Sequence, residues 1–297
     1  MNDPNFVQFK KERDLGAMIT DTFKFFRLEW KPFFTAIIKA AIIPIIIAII
    51  AIIFYTSSFS NFFEGLAFAQ YDAYGDEPQV EDLGMFFMSV IAFLLAYLVA
   101  YSIITVSGLS YIRSYIENNG VVNFEDVSAS TKEKFWSYVG LLFLSGLIVG
   151  FGMLLCLIPG IYLWVPLALS TCLLIFEKRS VGDSISYSFD FIKGHWWDTF
   201  GVLIVIQFII GIVGGLMDVP AAIYQIVKMG VDIGNEDPTA MFEIFSDPIY
   251  LILVAFSYFF KFLLYIVSVV STVFIYYDIN EQKNASGSMD MIDSLGS

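Results

Sequence analysis

The sequence predicts an all-α membrane protein, a polytopic bundle of six transmembrane helices with two or three cytoplasmic interfacial amphipathic helices. Three observations predict this fold class: the composition, six long apolar stretches and an internal repeat. Hydrophobic residues make up 58% of the chain and charged residues 15%, and the mean hydropathy is +0.73. Soluble domains are about 45–50% apolar and about 25% charged. The chain is therefore expected to lie in a lipid bilayer.

Six apolar stretches are long enough to cross that bilayer. A hydrocarbon core of about 30 Å needs about 20 residues of α-helix, and the predicted spans are residues 33–55, 85–112, 137–158, 160–176, 200–217 and 249–277. Tryptophans lie near the ends of several spans, where amphipathic rings favour the headgroup level. The predicted interfacial anchors are Trp30, Trp136, Trp196 and Trp197.

Proline, glycine and alanine predict how these helices turn and pack. A tight turn is predicted at Pro159-Gly160, and kinks or breaks are predicted at Pro44, Pro166 and Pro220. Close helix approach is predicted along three ridges of small residues: Ala92, Ala96 and Ala100; Gly146 and Gly150; Gly211 and Gly215. Cys156 and Cys172 differ in depth by about 13 Å of helix rise, which is too far for a disulfide.

Basic residues predict the orientation in the membrane. Twelve lysines and arginines precede the first span or lie between the second and third and between the fourth and fifth spans. Two long loops are expected on the other side, residues 56–84 and 218–248; they contain six acidic residues each and share one basic residue, Lys228. The positive-inside rule then places both termini of a multi-pass protein in the cytoplasm. The net charge of −13 argues against nucleic acid as a partner.

Residues 15–34 recur without a gap at residues 181–200. The copies share Gly16/Gly182, Ile19/Ile185, Phe23/Phe189, Phe25/Phe191, Trp30/Trp196 and Phe34/Phe200. A looser third copy begins near Asp126. Three repeat units are therefore predicted, about 15–112, 125–176 and 181–277, within a single transmembrane domain of residues 1–280. Residues 281–297 are expected to form a flexible cytoplasmic tail.

Each of the first two copies starts with an amphipathic helix. At 100° per residue, Leu15, Ile19, Phe23, Phe26 and Trp30 fall within one apolar arc, and the equivalent residues of the second copy do the same. Asp14 and Ser180 occupy equivalent N-cap positions. These helices are expected to lie in the cytoplasmic interface with their apolar arcs towards the lipid.

Sequence motifs for catalysis or metal binding are missing. The chain has one histidine, His195, and two cysteines, and contains no glycine-rich phosphate loop and no Gly-x-Ser-x-Gly elbow. No cofactor is predicted, and the catalytic and metal-binding sets are empty. The oligomeric state is left open by the sequence.

Lys261 is the most informative charged residue. It lies about 18 Å of helix rise from the outer end of the sixth span, where an unpaired ammonium is costly. We expect it to pair with Asp218, just past the fifth span, or to bind an anionic lipid headgroup; the alternative is a tilted or offset sixth helix that lets Lys261 reach polar atoms. Tyr258 and Tyr265 lie nearby on the same helix.

Residues Ile158-Pro159-Gly160-Ile161-Tyr162 and the segment 180–197 resemble the membrane domain fused to some bacterial glycerophosphodiester phosphodiesterases. The resemblance covers most of residues 15–280 and implies a multi-spanning helical domain of the bacterial inner membrane, without the soluble catalytic barrel. Similar chains with a short Asp-Ser-Leu-Gly tail occur in Bacteroidota and are sometimes called β-carotene monooxygenases. That enzyme family holds iron with four histidines, whereas this chain has one.

The sequence is compatible with three functions. The favoured one is a non-catalytic integral membrane protein that organises or binds lipids, or a membrane or cytoplasmic protein partner, at the cytoplasmic interface. The alternatives are a transporter or channel for an amphiphilic substrate and a lipid-modifying membrane enzyme. A polar cavity between helices would favour the transporter, and a convergent cluster of ionisable groups at membrane depth would favour the enzyme.

The predicted topology can be tested by cysteine labelling. In a background with Cys156→Ser and Cys172→Ser, the substitutions Asp76→Cys and Asp237→Cys should give labelling by a membrane-impermeant thiol reagent in intact cells. Ser288→Cys should label only after the membrane is permeabilised. Labelling of Ser288→Cys but not of Asp76→Cys in intact cells would overturn the orientation.

Overall fold

The computed structural model describes residues 7–71, 80–232 and 240–285, and every regular element in these ranges is helical. The helices are α1 (Leu15–Tyr71), α2 (Val80–Glu117), α3 (Phe124–Leu155), α4 (Leu157–Phe176), α5 (Val181–Phe191), α6 (Trp196–Asp232), α7 (Ala240–Glu243), a 3-10 turn (Ile244–Ser246) and α8 (Pro248–Asn284). Among the described residues, six helices are long and apolar enough to cross a membrane: α1, α2, α3, α4, α6 and α8. The predicted fold class, an all-helical multi-pass membrane protein, is confirmed.

The helices continue well beyond the predicted spans. α1 runs on to Tyr71 and α6 to Asp232, so much of the two predicted acidic loops is helical. The prediction of long loops at 56–84 and 218–248 is therefore wrong for these parts, while residues 72–79 and 233–239 lie outside the described ranges. α8 ends at Asn284, four residues into the predicted tail, and residues 286–297 also lie outside the described ranges.

The chain divides into two compact units. Unit 1 contains residues 1–41, 102–210 and 265–297, and unit 2 contains residues 42–101 and 211–264. Helices α1, α2, α6 and α8 each contribute one part to each unit, whereas α3, α4 and α5 belong to unit 1. The single-domain division from the sequence stays a prediction.

The core of unit 1 is aromatic. Phe9 stacks on Phe274 with ring centroids 4.5 Å apart, and Phe33 meets Tyr111 edge to face at 5.0 Å. Six large aromatic side chains are fully buried together: Phe9, Phe25, Phe33, Tyr111, Tyr115 and Phe274. Stacked and edge-to-face pairs add about 0.5–1.5 kcal/mol each to the effect of burial. The segment before α1 therefore forms part of the core through Phe9.

Arg13 fixes this same segment. Its guanidinium donates to Asp21 Oδ2 at 2.9 Å and to the carbonyls of Phe9 and Lys11 at 2.7 and 2.9 Å. Its backbone N–H donates to Asp278 Oδ1 on α8 at 2.6 Å. A buried charge needs such a set of partners, so Arg13 ties residues 9–13 to α1 and α8.

The predicted N-caps of the repeat are confirmed. Asp14 Oδ1 accepts a hydrogen bond from the amide of Ala17 at 2.7 Å, and Ser180 Oγ accepts one from the amide of Asp183 at 3.2 Å. The two copies then differ. α1 passes from the repeated segment, residues 15–34, into its apolar stretch without a break, whereas α5 ends at Phe191 and α6 begins at Trp196. Gly194, with φ +86°, lies in this break, and glycine adopts that backbone region readily.

The two copies bury the same register positions within unit 1. The matched buried pairs are Met18/Ser184, Thr22/Ser188, Phe25/Phe191 and Phe33/Thr199. In the looser third copy, Val127 and Tyr138, which match Ser188 and Thr199, are buried as well. Asn123 and Ser130, which match Ser184 and Phe191, are not buried, so this copy stays a prediction. In the first copy, Leu15, Phe23 and Trp30 of the predicted apolar arc are exposed. In the first copy the protein-facing side is therefore distinct from much of that arc, whereas Ile192 of the second copy's arc is buried.

The turn between α3 and α4 lies at Cys156, not at Pro159-Gly160. Cys156 has an extended backbone, φ −170° and ψ 149°, and α4 begins at Leu157. Pro159 fits in the first turn of α4 because the amide groups there have no partner inside the helix. A Cβ on Gly160 would lie 2.9 Å from the Met153 backbone nitrogen, so this glycine allows the two helices to touch.

Other packing predictions have mixed outcomes. α1, α4 and α6 continue through Pro44, Pro166 and Pro220, so none of these prolines ends its helix. A Cβ on any of the four ridge glycines would meet no atom within 4 Å: Gly146, Gly150, Gly211 and Gly215. The prediction that these glycine ridges are close helix contacts is wrong, because each faces open space. Cys156 and Cys172 are both free, as expected from their separation.

Gly160→Ala should destabilise the α3–α4 hairpin, whereas Gly150→Ala should not. The new Cβ at position 160 meets backbone atoms of Met153 that cannot move alone, and overpacking of this kind costs about 1–3 kcal/mol. Alanine at position 150 enters open space and favours the helix. Thermal unfolding of the purified variants in one detergent measures the difference, and equal melting temperatures would contradict the close contact.

Candidate functional site

The candidate site in unit 2 is built around an ion pair between α6 and α8. Lys261 Nζ lies 2.8 Å from Asp218 Oδ1. The fifth span was expected to end before Asp218, but α6 continues through this residue to Asp232. The lysine is 34% and the aspartate 47% exposed. The two charges are thus paired without being sealed off from their surroundings.

Neighbouring side chains position the pair. Ser257, one helical turn before Lys261, donates its hydroxyl hydrogen bond to Asp218 Oδ1. Lys261 Nζ lies 5.0 Å from the centroid of the Tyr258 ring, within cation–π range. A Cβ on Gly214 would lie 3.8 Å from Lys261 Cγ, so the aliphatic part of the lysine passes beside this glycine. The ammonium is therefore held between a carboxylate and an aromatic face.

A cavity of about 400 Å³ opens beside the pair. The polar groups on its wall are Asp218, Gln225, Lys261, Thr56 and the tyrosines Tyr55, Tyr250 and Tyr258. The remaining wall is apolar or aromatic and includes Ile52, Phe59, Ala221 and Val254. The volume falls in the range of small-molecule sites. One positive charge, one negative charge and several aromatic hydroxyls thus face one space.

Of the four predicted site residues, three meet and one lies elsewhere. Lys261, Asp218 and Tyr258 share the unit 2 cavity. Tyr265 belongs to unit 1, where its hydroxyl accepts a hydrogen bond from Thr105 Oγ1 at 3.3 Å and lines another cavity. Lys261 and Tyr265 are one helical turn apart on α8 but line different cavities, although the sequence analysis placed them in one site.

The predicted tryptophan anchors differ in exposure. Trp30, Trp136 and Trp197 are exposed. Trp196 is half-buried, donates from Nε1 to the Tyr162 carbonyl at 3.3 Å and stacks on Phe200. Three exposed indoles on apolar helices suit an interface with lipid headgroups, and their anchoring role stays a prediction.

Several site residues escaped the sequence analysis. Ser257 stands four residues before Lys261, which is the spacing of one helix face, so its position was readable. Gln225 could not be placed because it comes from a part of α6 beyond the predicted fifth span. Tyr250 lies at the start of the predicted sixth span, but its sequence position alone did not show which residues it faces. In the described ranges, no group of three or more His, Cys, Asp or Glu residues is arranged to hold a metal ion.

The fold and the site define a multi-pass α-helical membrane protein with a charge pair on two of its apolar helices. The chain belongs to the uncharacterised protein family UPF0259, whose model matches residues 15–227. No curated protein and no solved structure matches the chain. These comparisons give no support to the resemblance to the membrane domain of glycerophosphodiester phosphodiesterases.

A double-mutant cycle should detect the ion pair. Lys261→Met leaves Asp218 without its counter-charge and should lower the melting temperature, and adding Asp218→Asn should restore part of the loss. The expected coupling free energy is about 1 kcal/mol or more, because this pair lies on apolar helices. Pairs exposed to water give only about 0.2–1 kcal/mol.

The Asp190–Lys193 pair provides a matched control. Its atoms lie 2.5 Å apart and both side chains are well exposed. Their hydrogen bond raises the pKa of Lys193 and lowers the pKa of Asp190, so both stay charged at neutral pH. The cycle of Lys193→Met with Asp190→Asn should give coupling near zero. Equal coupling free energies in the two cycles would mean that the Lys261–Asp218 pair is no stronger than a pair exposed to water.

Proposed function

We propose that this protein is a non-catalytic integral membrane protein that binds phospholipid, with the headgroup held in the unit 2 cavity. The observation that carries the proposal is the half-exposed pair of Lys261 and Asp218 on the wall of that cavity. An exposed pair on apolar helices has two kinds of neighbour in a bilayer, water and lipid headgroups. A phospholipid supplies a phosphate for the lysine.

The charge of the cavity favours a zwitterionic headgroup. Lys261 alone would attract any anionic lipid, but Asp218, 2.8 Å away, cancels its charge. A phosphoethanolamine group carries a phosphate for Lys261 and an ammonium for Asp218, so both protein charges gain a partner. Tyr250 and Tyr258 on the cavity wall offer ring faces to the same ammonium.

The position of the pair along the sequence also suits a headgroup. At 1.5 Å per residue, Asp218 follows the predicted anchor Trp196 by about 33 Å of helix. The hydrocarbon core is about 30 Å thick. If Trp196 lies at one headgroup level, Asp218 lies near the opposite one. Its partner Lys261 then lies nearer to the headgroups than the depth of about 18 Å expected from the sixth span, and a headgroup can reach the pair without entering the hydrocarbon.

The cavity also bears on the two alternative functions. A polar cavity between helices was the feature expected of a transporter, and the unit 2 cavity has that feature. Transport also requires a route through the membrane, whereas the contacts of Lys261 and Asp218 bear on binding alone. A lipid-modifying enzyme needs an activated nucleophile or a general base. Asp218 is engaged by Lys261 and Ser257. Binding without reaction is the function that these contacts support best.

Lipid retention tests the proposal directly. Native mass spectrometry of the purified wild type should show retained phosphatidylethanolamine after delipidation, in preference to phosphatidylglycerol of the same chain length. Lys261→Met and Asp218→Asn should each reduce that retention at least several-fold, because each removes one of the two charges that hold the headgroup.

Lys228→Met provides the control. Lys228 is also in unit 2 and also lies near an aspartate, with Nζ 3.3 Å from Asp247 Oδ2, but it does not line the cavity. Its replacement should leave retention unchanged. Equal retention in wild type and Lys261→Met would refute the proposed function, and preference for phosphatidylglycerol would refute the zwitterionic headgroup.

A further inference from the structure

A second cavity, of about 300 Å³, lies within unit 1 and has a different chemical character. Its wall comes from α2, α3, α4, α6 and α8. The lining side chains, all in described parts of the chain, include no charged residue. Hydrogen-bonding groups on the wall include those of Thr105, Tyr138, Ser145, Gln207, Tyr265 and Ser268. Such a concentration of neutral polar groups on apolar helices needs partners.

Most of these groups are satisfied inside the protein. Thr105 donates to Tyr265, and Thr272 Oγ1 donates to the Ser268 carbonyl one turn before it at 2.8 Å. Gln207 Nε2 donates to Ser268 Oγ at 3.0 Å. Polar side chains satisfied in this way stabilise helix contacts in lipid and do not by themselves indicate a ligand.

Ser145 is the exception. Its hydroxyl is shielded from solvent and has no hydrogen-bond partner among the described residues. It stands on α3 beside Gly146, where a Cβ would meet nothing within 4 Å. A buried hydroxyl left without a partner costs about 1–3 kcal/mol. The cavity therefore contains an unmet hydrogen-bonding group with open space next to it.

The wall also indicates how a ligand could enter. Gln207 and Gly146 both line the cavity and are both exposed on the helix surface. On membrane helices such a surface faces the lipid. The other side of the cavity is closed by buried residues such as Leu141, Leu167 and Cys172. Access from within the bilayer suits a molecule that is itself dissolved in lipid.

We propose that the unit 1 cavity binds the hydroxyl- or carbonyl-bearing end of an uncharged amphiphile, with Ser145 as its hydrogen-bond partner. A charged headgroup would find no counter-charge on the wall. A pure hydrocarbon would leave the Ser145 hydroxyl unsatisfied. A neutral polar end with an apolar remainder meets both conditions, and 300 Å³ is at the lower limit for small-molecule sites. This site is independent of Lys261 and of the proposed headgroup cavity.

Trp164 makes the proposal measurable because it lines the same cavity. In full-length protein with the other four tryptophans replaced by phenylalanine, brominated monoacylglycerol should quench Trp164 fluorescence. The quenching should saturate with the mole fraction of the brominated lipid and should be reversed by unbrominated monooleoylglycerol. Brominated oleate, which carries a carboxylate at neutral to alkaline pH, should need at least a tenfold higher mole fraction.

Two variants at position 145 separate binding from folding. Ser145→Phe fills the cavity and should raise the half-saturating mole fraction at least tenfold. Ser145→Ala removes only the hydroxyl and should raise it several-fold in a protein that remains folded. Leu144→Phe adds the same ring one residue away, on an exposed position that does not line the cavity, and should bind as the parent does.

Two other results would contradict the proposal or its assignment to an uncharged ligand. Non-saturating quenching that is the same in the parent and in Ser145→Ala would show that Trp164 samples bulk lipid only, and would overturn the proposal. Equal half-saturation for brominated oleate and brominated monoacylglycerol would overturn the assignment to an uncharged ligand. Both results leave the Lys261 lipid-retention experiment unaffected, so the two proposals can fail separately.

Discussion

Polar groups that enter hydrocarbon must find partners inside the protein or in the lipid, and the described structure follows from this constraint. Its backbone is almost entirely helical, which satisfies the amide groups without water. Hydroxyls within the helices donate to carbonyls one turn earlier: Thr22 to Met18, Thr56 to Ile52, Thr131 to Val127 and Thr272 to Ser268. Ser145 and Thr199 are the buried side-chain groups in the described ranges that lack a partner.

The repeated segments, residues 15–34 and 181–200, are helical and have one side buried in the protein and another side exposed. Small or polar residues such as Thr22 and Ser188 are buried at matched positions, while Phe23 and Trp30 of the apolar arc are exposed. In a soluble protein the apolar side would face the core. Here small residues allow close contact with neighbouring helices, as in membrane helix packing. Phe25 and Phe191 are buried beside these small residues, whereas Phe23 and Trp30 remain for the lipid, which is consistent with the predicted interfacial location.

The two cavities differ in the chemistry that they offer. The unit 2 cavity has one charge of each sign, Lys261 and Asp218, which suits a ligand that also carries one charge of each sign. The unit 1 cavity has no charge on its wall and one unmet hydroxyl, Ser145. A zwitterionic headgroup and an uncharged amphiphile are therefore complementary expectations. The two proposals share one idea, that this membrane protein recognises lipids by the charge of their polar ends.

The sequence by itself determined the helical membrane class, the six apolar stretches and the N-caps at Asp14 and Ser180, because hydropathy and capping depend on neighbouring residues. It also singled out Lys261 and Asp218 by their charge. Only the tertiary structure decided that the chain turns at Cys156, that Tyr265 belongs to another cavity than Lys261, and that Ser145 lacks a partner. Each of these depends on which distant segments approach one another in space, and the order of residues along one helix does not contain that information.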